Sequence, residues 1–94
     1  MGAERRVDVS DLEAPEPLVQ VLDAAERLAP GEYLHMLHRR EPCLLYGNLD
    51  QRGFAHDTRQ GRDVACEVFI WRRGDEAAAA AANEAAADLA PWRR

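Results

Sequence analysis

Serine and threonine are almost absent from this 94-residue chain: Ser10 is its single serine and Thr58 its single threonine. Catalysis by a serine or threonine nucleophile needs one of these side chains beside a general base, so this class of mechanism has almost no candidate residues here. No catalytic dyad or triad of other residue types is visible either. We therefore expect that the protein is not an enzyme.

Cysteine is also scarce, and Cys43 and Cys66 are the two in the chain. Two cysteines cannot form the disulfide framework of a small secreted protein, and these two lack the close spacing of a zinc site. We expect two free thiols, no metal ion and no other cofactor.

Long apolar runs are missing as well, and acidic residues outnumber basic ones. No stretch approaches the roughly 20 apolar residues that span a bilayer, and the polar start of the chain lacks the apolar segment of a secretory signal. The formal charge of -5 disfavours a polyanionic partner. We expect a cytoplasmic protein that binds neither membranes nor nucleic acid.

The residues that are present are sufficient for one small α/β domain. Apolar periodicity predicts four strands, and two amphipathic stretches opened by proline predict two helices. The strands are expected at residues 6–10, 32–38, 54–59 and 64–70, and the helices at about 15–28 and 42–52. The order β-α-β-α-β-β indicates a two-layer sandwich, with both helices on one face of a four-stranded sheet.

The two ends of the chain differ from this domain in composition. We expect residues 1–5 to be disordered, residues 6–73 to form the domain, and residues 74–94 to form either an alanine-rich helix or a flexible tail. Alanine favours a helix from about Glu76 to Leu89, but an isolated helix of that length is marginal in water. The sequence leaves both alternatives open.

The starts of the two helices are expected to lie at one edge of the sheet. A helical crossover joins parallel strands, and parallel strands place the following helix starts side by side. Helix N-termini favour anions and thiolates, which makes this edge a candidate binding site. Its candidate residues are Glu13, Pro15, Glu16, His38, Arg39, Glu41 and Cys43.

Several kinds of chemistry compete at this edge. Cys43, directly after Pro42, is either a reactive thiol or a small buried hydrophobe, whereas Cys66 alternates with apolar residues and is expected in the core. His35 and His38 are three residues apart in a strand, so they face opposite sides and cannot share one metal ion. A metal or haem-linked site around His38 remains a further alternative.

The sheet face without helices is expected to be apolar and to need a cover, because large exposed apolar patches mark interaction sites. The residues predicted to line it are Tyr33, Leu37, Phe69 and Trp71. The cover is the C-terminal segment with Leu89 and Trp92, a second subunit or a partner.

The stretch Leu12-Glu13-Ala14-Pro15-Glu16-Pro17, followed by Pro30-Gly31-Glu32, resembles the start of the TusA (SirA-like) sulfur-carrier family, and the resemblance covers about residues 6–73. It implies a two-layer α/β sandwich with a mixed sheet in the order 1-2-4-3 and an antiparallel last strand. Ala14 stands where that family has its persulfide-bearing cysteine. An alanine carries no sulfur, so the carrier role does not transfer.

Two further stretches, Glu41 to Tyr46 and Leu49 to Phe54, look closer to a sister group of bacterial TusA-fold domains, the domain-of-unknown-function family 2249. That group occurs alone or beside hemerythrin-like domains. The resemblance implies a role in bacterial redox or in sulfur or nitrogen-oxide metabolism, and an association with hemerythrin-like proteins.

Two functions remain in competition. The first is a non-catalytic binding or adaptor module, monomeric or weakly dimeric, that takes a protein or a small ligand at the helix starts or on the helix-free face. The second is a thiol-based sulfur or redox relay in which Cys43 replaces the cysteine missing at Ala14.

Overall fold

The computed structural model describes residues 3–93 of the chain. Its elements are β1 (Glu4–Asp8), α1 (Glu16–Glu26), β2 (Tyr33–His38), α2 (Cys43–Gln51), β3 (Phe54–Gln60), β4 (Cys66–Arg72) and α3 (Glu76–Ala86). The first six follow the predicted order. Within residues 3–93, none of the helices combines the length and the apolar character that a bilayer crossing requires.

One four-stranded mixed sheet organises the molecule, in the order β1-β2-β4-β3. β1 and β2 are parallel, because α1 carries the chain back between them. β4 is antiparallel to both β2 and β3. The predicted fold class, strand order and antiparallel last strand are therefore confirmed.

Two strand starts differ from the prediction by two residues. β1 begins at Glu4 rather than Arg6, so residues 4 and 5, which were expected to be disordered, pair with β2. Their side chains are exposed on an edge strand, so no buried alternation marks them in the sequence. β4 begins at Cys66 because the turn after β3 extends to Ala65. The same expectation for residues 1 and 2 lies outside the described residues.

α1 and α2 pack on one face of the sheet, and the main core lies between this helix layer and the sheet. Both helices begin directly after a proline, Pro15 and Pro42, as predicted. Each fully buried aliphatic side chain contributes roughly 1.5–3 kcal/mol, so this layer supplies most of the hydrophobic stabilisation. Its buried residues include Val9, Val21, Leu22, Leu34, Met36, Leu45, Leu49, Phe54, Val68 and Ile70.

The alanine-rich segment is a helix and forms a third layer on the opposite face. Ala78, Ala82 and Ala86, spaced four apart, are fully buried, and the last two lie in one cluster with Tyr33 and Phe69. Small methyl groups let the helix backbone approach the sheet closely. Docking supplies the stability that an isolated helix of this length lacks, and this resolves the open alternatives in favour of a helix.

Asp75 fixes the start of α3. One oxygen of its carboxylate accepts a hydrogen bond from the Ala78 amide at 3.0 Å, and the other accepts one from the Gly31 amide at 2.8 Å. Gly31 has a φ of 84°, in the left-handed region that favours glycine. A single carboxylate therefore caps the helix and ties it to the turn before β2.

After α3 the chain turns around the edge strand β3. Leu89 packs with the α3 layer, whereas Trp92 packs against the main core on the other face. The expectation that Leu89 and Trp92 cover the same face is wrong for Trp92, because Pro91 bridges to Arg59 of β3 and carries the chain past the edge.

Candidate functional site

The N-termini of α1 and α2 flank a pocket of about 350 Å³ at one edge of the sheet. Small-ligand sites begin at about 300 Å³, so the volume suits a small molecule. The loops that enter the two helices and the first turns of both helices form its walls. The parallel pairing of β1 and β2 places these two loops side by side.

Six of the seven residues predicted for this edge line the pocket: Glu13, Pro15, His38, Arg39, Glu41 and Cys43. Glu16, the exposed first residue of α1, does not line it. Much of the remaining lining is apolar and includes Leu12, Ala14, Leu18, Met36, Leu44 and Leu45. The two helix starts do lie at one edge of the sheet, as predicted, and the pocket between them has a more apolar lining than the candidate residues indicated.

His38 is the most buried polar residue of the lining, at 6% exposed. Burial comes first and the charges of Arg39 and Arg40 second in holding the pKa of His38 below its usual range, and a hydrogen bond to the Val9 backbone opposes them. Among the described residues, its Nδ1 has no hydrogen-bond partner. The imidazole is therefore neutral at pH 7.

Charged side chains surround the opening of the pocket. Arg39 Nη2 lies 3.2 Å from Glu13 Oε2, which joins the two loops. Both side chains are largely in water, at 39% and 85% exposed, so this ion pair contributes little to stability. Glu41 accepts a hydrogen bond from the Tyr46 hydroxyl at 3.3 Å.

Ala14 and Cys43 lie in the same pocket, and both are exposed. Cys43 is the first residue of α2 and follows Pro42. The alternative that Cys43 is a buried hydrophobe is wrong, because the residue reaches solvent. Cys43 is therefore an exposed thiol in the same pocket as Ala14.

Cys66 does not line the pocket, although β4 places it opposite His38 in the sheet. Its thiol donates a hydrogen bond to the Arg40 carbonyl at 3.0 Å. Burial, followed by the charges of Glu41 and Glu67, raises the pKa of Cys66 to about 11. Cys66 is therefore a protonated core thiol that holds the loop before α2.

The residues predicted for a partner face lie on the side of the sheet away from α1 and α2. Tyr33 and Phe69 are buried beneath α3, and Trp71 packs against the same cluster. Leu37, also buried, lines a second pocket beside it of about 300 Å³. α3 thus occupies the place that a second subunit or a partner would need.

A charged cluster on this second face was missed in the sequence. His35, at 8% exposed, donates from Nε2 to Glu67 Oε1 at 2.6 Å, and its Nδ1 lies 3.1 Å from Glu4 Oε2. The ring also stacks on Phe69, with 4.5 Å between centroids. The available signal was Glu67, a carboxylate at an inward position among apolar neighbours, because a buried charge requires a partner.

The two histidines of β2 lie on opposite faces, as the strand period predicts. His35 faces the α3 side and His38 lines the pocket between α1 and α2. In the part of the chain that the structure describes, no group of three or more His, Cys, Asp or Glu side chains is arranged to hold a metal ion.

The fold and the pocket together define a class: small α/β domains in which two proline-led helices start side by side at one edge of a mixed four-stranded sheet. Residues 6–72 match the family of uncharacterized conserved proteins termed DUF2249, and the chain belongs to that family. This confirms the predicted family, and α3 lies beyond the matched residues. No curated protein and no solved structure matches the chain.

Proposed function

We propose that the protein is a non-catalytic binding module whose ligand site is the pocket between α1 and α2. The observation that carries the proposal is the pocket itself, which is open, about 350 Å³ in volume and lined largely by apolar side chains. Ligand sites typically combine such a lining with a few placed polar groups. His38, Arg39 and Glu41 are the polar groups here.

The polar residues of the pocket support binding rather than catalysis. A general base needs a partner that orients it and a reacting group within reach. The Nδ1 of His38 has no partner among the described residues, and the one hydrogen bond of its ring goes to the Val9 backbone. Ala14, which lines the pocket at the start of α1, carries only a methyl group and cannot act as a nucleophile.

A fragment screen by NMR on the full chain tests this proposal. Ala14 is exposed and lines the pocket, so Ala14→Phe fills the site without disturbing the core. Ala80→Phe, at an exposed position of α3, is the matched control. We expect fragments that shift the amide signals of Leu18 and Leu44 to lose affinity by about tenfold or more in Ala14→Phe only. Fragments that bind both variants equally, or none at this site, would refute the proposal.

The proposal extends to an adaptor role in the bacterial cytoplasm, with a hemerythrin-like protein as the partner. Leu44 supports a protein contact because it is 80% exposed at the rim of the pocket. Leu44→Asp is expected to reduce co-purification with a hemerythrin-like protein, whereas Val19→Asp, at an exposed apolar site on α1, is not. Absence of such a protein from the wild-type eluate would exclude this partner.

A second candidate function, a sulfur relay, is favoured by the exposure of Cys43 inside the pocket. The Cys43 thiolate would attack the outer sulfur of a donor persulfide, and the donor would leave as a thiolate when its sulfur–sulfur bond breaks. Intact mass after treatment with cysteine persulfide should then show one added sulfur atom that Cys43→Ser lacks. An equal gain in Cys43→Ser, or no retained sulfur, would exclude the relay.

A further inference from the structure

We infer that the pocket selects a small anion with an apolar body, of the class of short aliphatic or aryl carboxylates. Its charged group would lie beside the first turns of α1 and α2. The inference rests on the proposed binding function and adds the chemical class of the ligand.

Two helix starts give this end of the molecule a positive character. α1 has 11 residues and α2 has 9, and their N-cap positions are Pro15 and Pro42, neither of which provides a side-chain cap. The first amides of the two helices, those of Glu16 and Cys43, donate to nearby backbone carbonyls, so the positive character comes from the helix dipoles, which place roughly half a positive charge at each start. Both ends converge on one pocket, which favours a negative ligand group.

His38 gives an independent indication of the same sign. The formal charges of the lining cancel, because Arg39 and Arg40 stand against Glu13 and Glu41. At the ring, burial comes first and the charges of Arg39 and Arg40 second in lowering the pKa of His38. The arginine part of this shift reflects a positive potential at the ring, and a positive potential favours an anion.

The acidic residues of the lining are already engaged. Glu13 pairs with Arg39 at 3.2 Å, and Glu41 accepts a hydrogen bond from Tyr46 at 3.3 Å. Arg40 lines the pocket and forms no ion pair among residues 3–93. An incoming carboxylate can therefore pair with Arg40 without first breaking an existing interaction.

The rest of the pocket requires the ligand to be mostly apolar. Apolar side chains surround the part of the pocket that the charged group of the ligand would not fill: Leu12, Ala14, Leu18, Met36 and Leu45. A small inorganic anion would leave these side chains in contact with water, so it would gain none of the roughly 25 cal/mol per Å² that apolar burial contributes. The lining therefore favours an amphipathic anion.

Titration of isotope-labelled full-length protein with hexanoate, hexanol and hexylammonium tests the inference, because the three probes share a body and differ in charge. At pH 7 and low salt we expect hexanoate to bind about tenfold more tightly than hexanol, and hexylammonium more weakly still. Arg40→Gln should remove most of this preference. Arg27→Gln, at the exposed far end of α1, should leave it intact.

The His38 ring provides a second readout. The groups around it are Arg39, Arg40 and Glu41 in its own loop, Glu13 and the Val9 carbonyl before α1, Cys43 on α2 and Cys66 on β4. Bound hexanoate would offset the arginine charges and raise the pKa of His38, measured from its ring resonances. Hexanol should leave that pKa unchanged.

The possible results separate the ligand class from the binding function. Equal affinity for hexanoate and hexanol, with both lost in Ala14→Phe, would overturn the anionic class and leave the binding module standing. Inorganic phosphate that binds as tightly as hexanoate would overturn the apolar body. An unchanged pKa of His38 in the hexanoate complex would overturn the placement of the charge. Failure of every fragment to reach the pocket would instead remove the proposed function.

Discussion

His35 and Glu67 share a hydrogen bond of 2.6 Å beneath the layer formed by α3. The second oxygen of Glu67 accepts a hydrogen bond from the Arg62 amide at 2.8 Å. On the other side of the imidazole, Glu4 lies 3.1 Å from Nδ1 and accepts a hydrogen bond from the Tyr33 hydroxyl at 2.7 Å. Polar side chains thus join β1, β2 and β4 on the face of the sheet beneath α3.

Replacement of Glu67 by glutamine tests the energetic role of this cluster. Glu67→Gln keeps the volume and removes the charge, so the unfolding free energy should fall by about 1–3 kcal/mol, the contribution of a hydrogen bond to a charged group. Asp50→Asn, which neutralises an exposed carboxylate beside His56 and Arg73, is the control, and its effect should stay within about 1 kcal/mol. Urea unfolding at pH 7 measures both, and equal losses would contradict a special role for the buried site.

The same carboxylates predict a loss of stability in acid. Burial raises the pKa of Glu67, but the Arg62 amide and His35 outweigh it and hold the pKa below the usual 4.5. Burial likewise raises the pKa of Glu4, but the hydrogen bond from Tyr33 and the close approach of His35 outweigh it and lower that pKa. A carboxyl group with a lowered folded-state pKa stabilises the fold above its unfolded value, and this stabilisation disappears as pH falls through the folded value.

Urea midpoints measured at decreasing pH check this sign. We expect the wild-type midpoint to fall steadily from about pH 5 downward, and the fall to be shallower in Glu67→Gln because one of the linked groups is gone. Parallel curves for the two proteins would show that acid sensitivity arises elsewhere.

Local patterns were sufficient to predict the sheet, α1 and α2. Alternation located β4 to within two residues, and Pro15 and Pro42 located both helix starts. The common edge followed from the parallel connection through α1, which depends on chain geometry rather than on any particular side chain. These features are encoded within a few residues or follow from general rules of connection, so a single sequence reveals them.

The remaining features depend on partners that are distant in sequence. Ala82 is buried only because Tyr33 and Phe69 present a surface on which α3 can dock, and nothing within α3 reveals that surface. Glu4 has the sequence context of a disordered terminus, and it meets His35 only when β1 has paired with β2. Such contacts require the tertiary fold.

The docking of α3 can be tested at Ala82. Ala82→Asp places a charge against the sheet face, where its desolvation costs on the order of 2–4 kcal/mol, so α3 should detach or the fold should weaken by that amount. Ala80→Asp, at an exposed position of the same helix, is the control and should be nearly neutral. Binding of a hydrophobic dye and the oligomeric state are the readouts, because detachment uncovers Tyr33 and Phe69. No change in either measurement would contradict the docked helix.

The two thiols should differ in reactivity. At pH 8 a thiol whose pKa is about 11 is ionised to roughly one part in a thousand. Cys66 is also buried, whereas Cys43 is exposed. Iodoacetamide should therefore add one group to the folded chain and a second only in urea, as read by intact mass. Cys43→Ser should take up none while folded, and rapid double labelling of the native wild type would contradict the assignment.

Removal of the Asp75 side chain should loosen α3 without altering the rest of the fold. Asp75→Ala deletes the acceptor for the Ala78 and Gly31 amides, which cap α3 and join it to the turn before β2. We expect faster hydrogen exchange in residues 76–86, with little change in α1. Asp23→Ala removes an exposed carboxylate on α1 that pairs with Arg27, and it serves as the control.

Acid should reproduce this loosening in the wild type, because the hydrogen bonds from Gly31 and Ala78 lower the pKa of Asp75. The stabilisation from this carboxylate is present above its unfolded pKa and is lost as pH falls through the lowered value. After correction for the intrinsic rate, exchange of residues 76–86 should therefore quicken at acidic pH in the wild type and change less in Asp75→Ala. If α3 of the variant exchanges as slowly as in the wild type, the tie between Asp75 and the turn at Gly31 does not hold the helix in place.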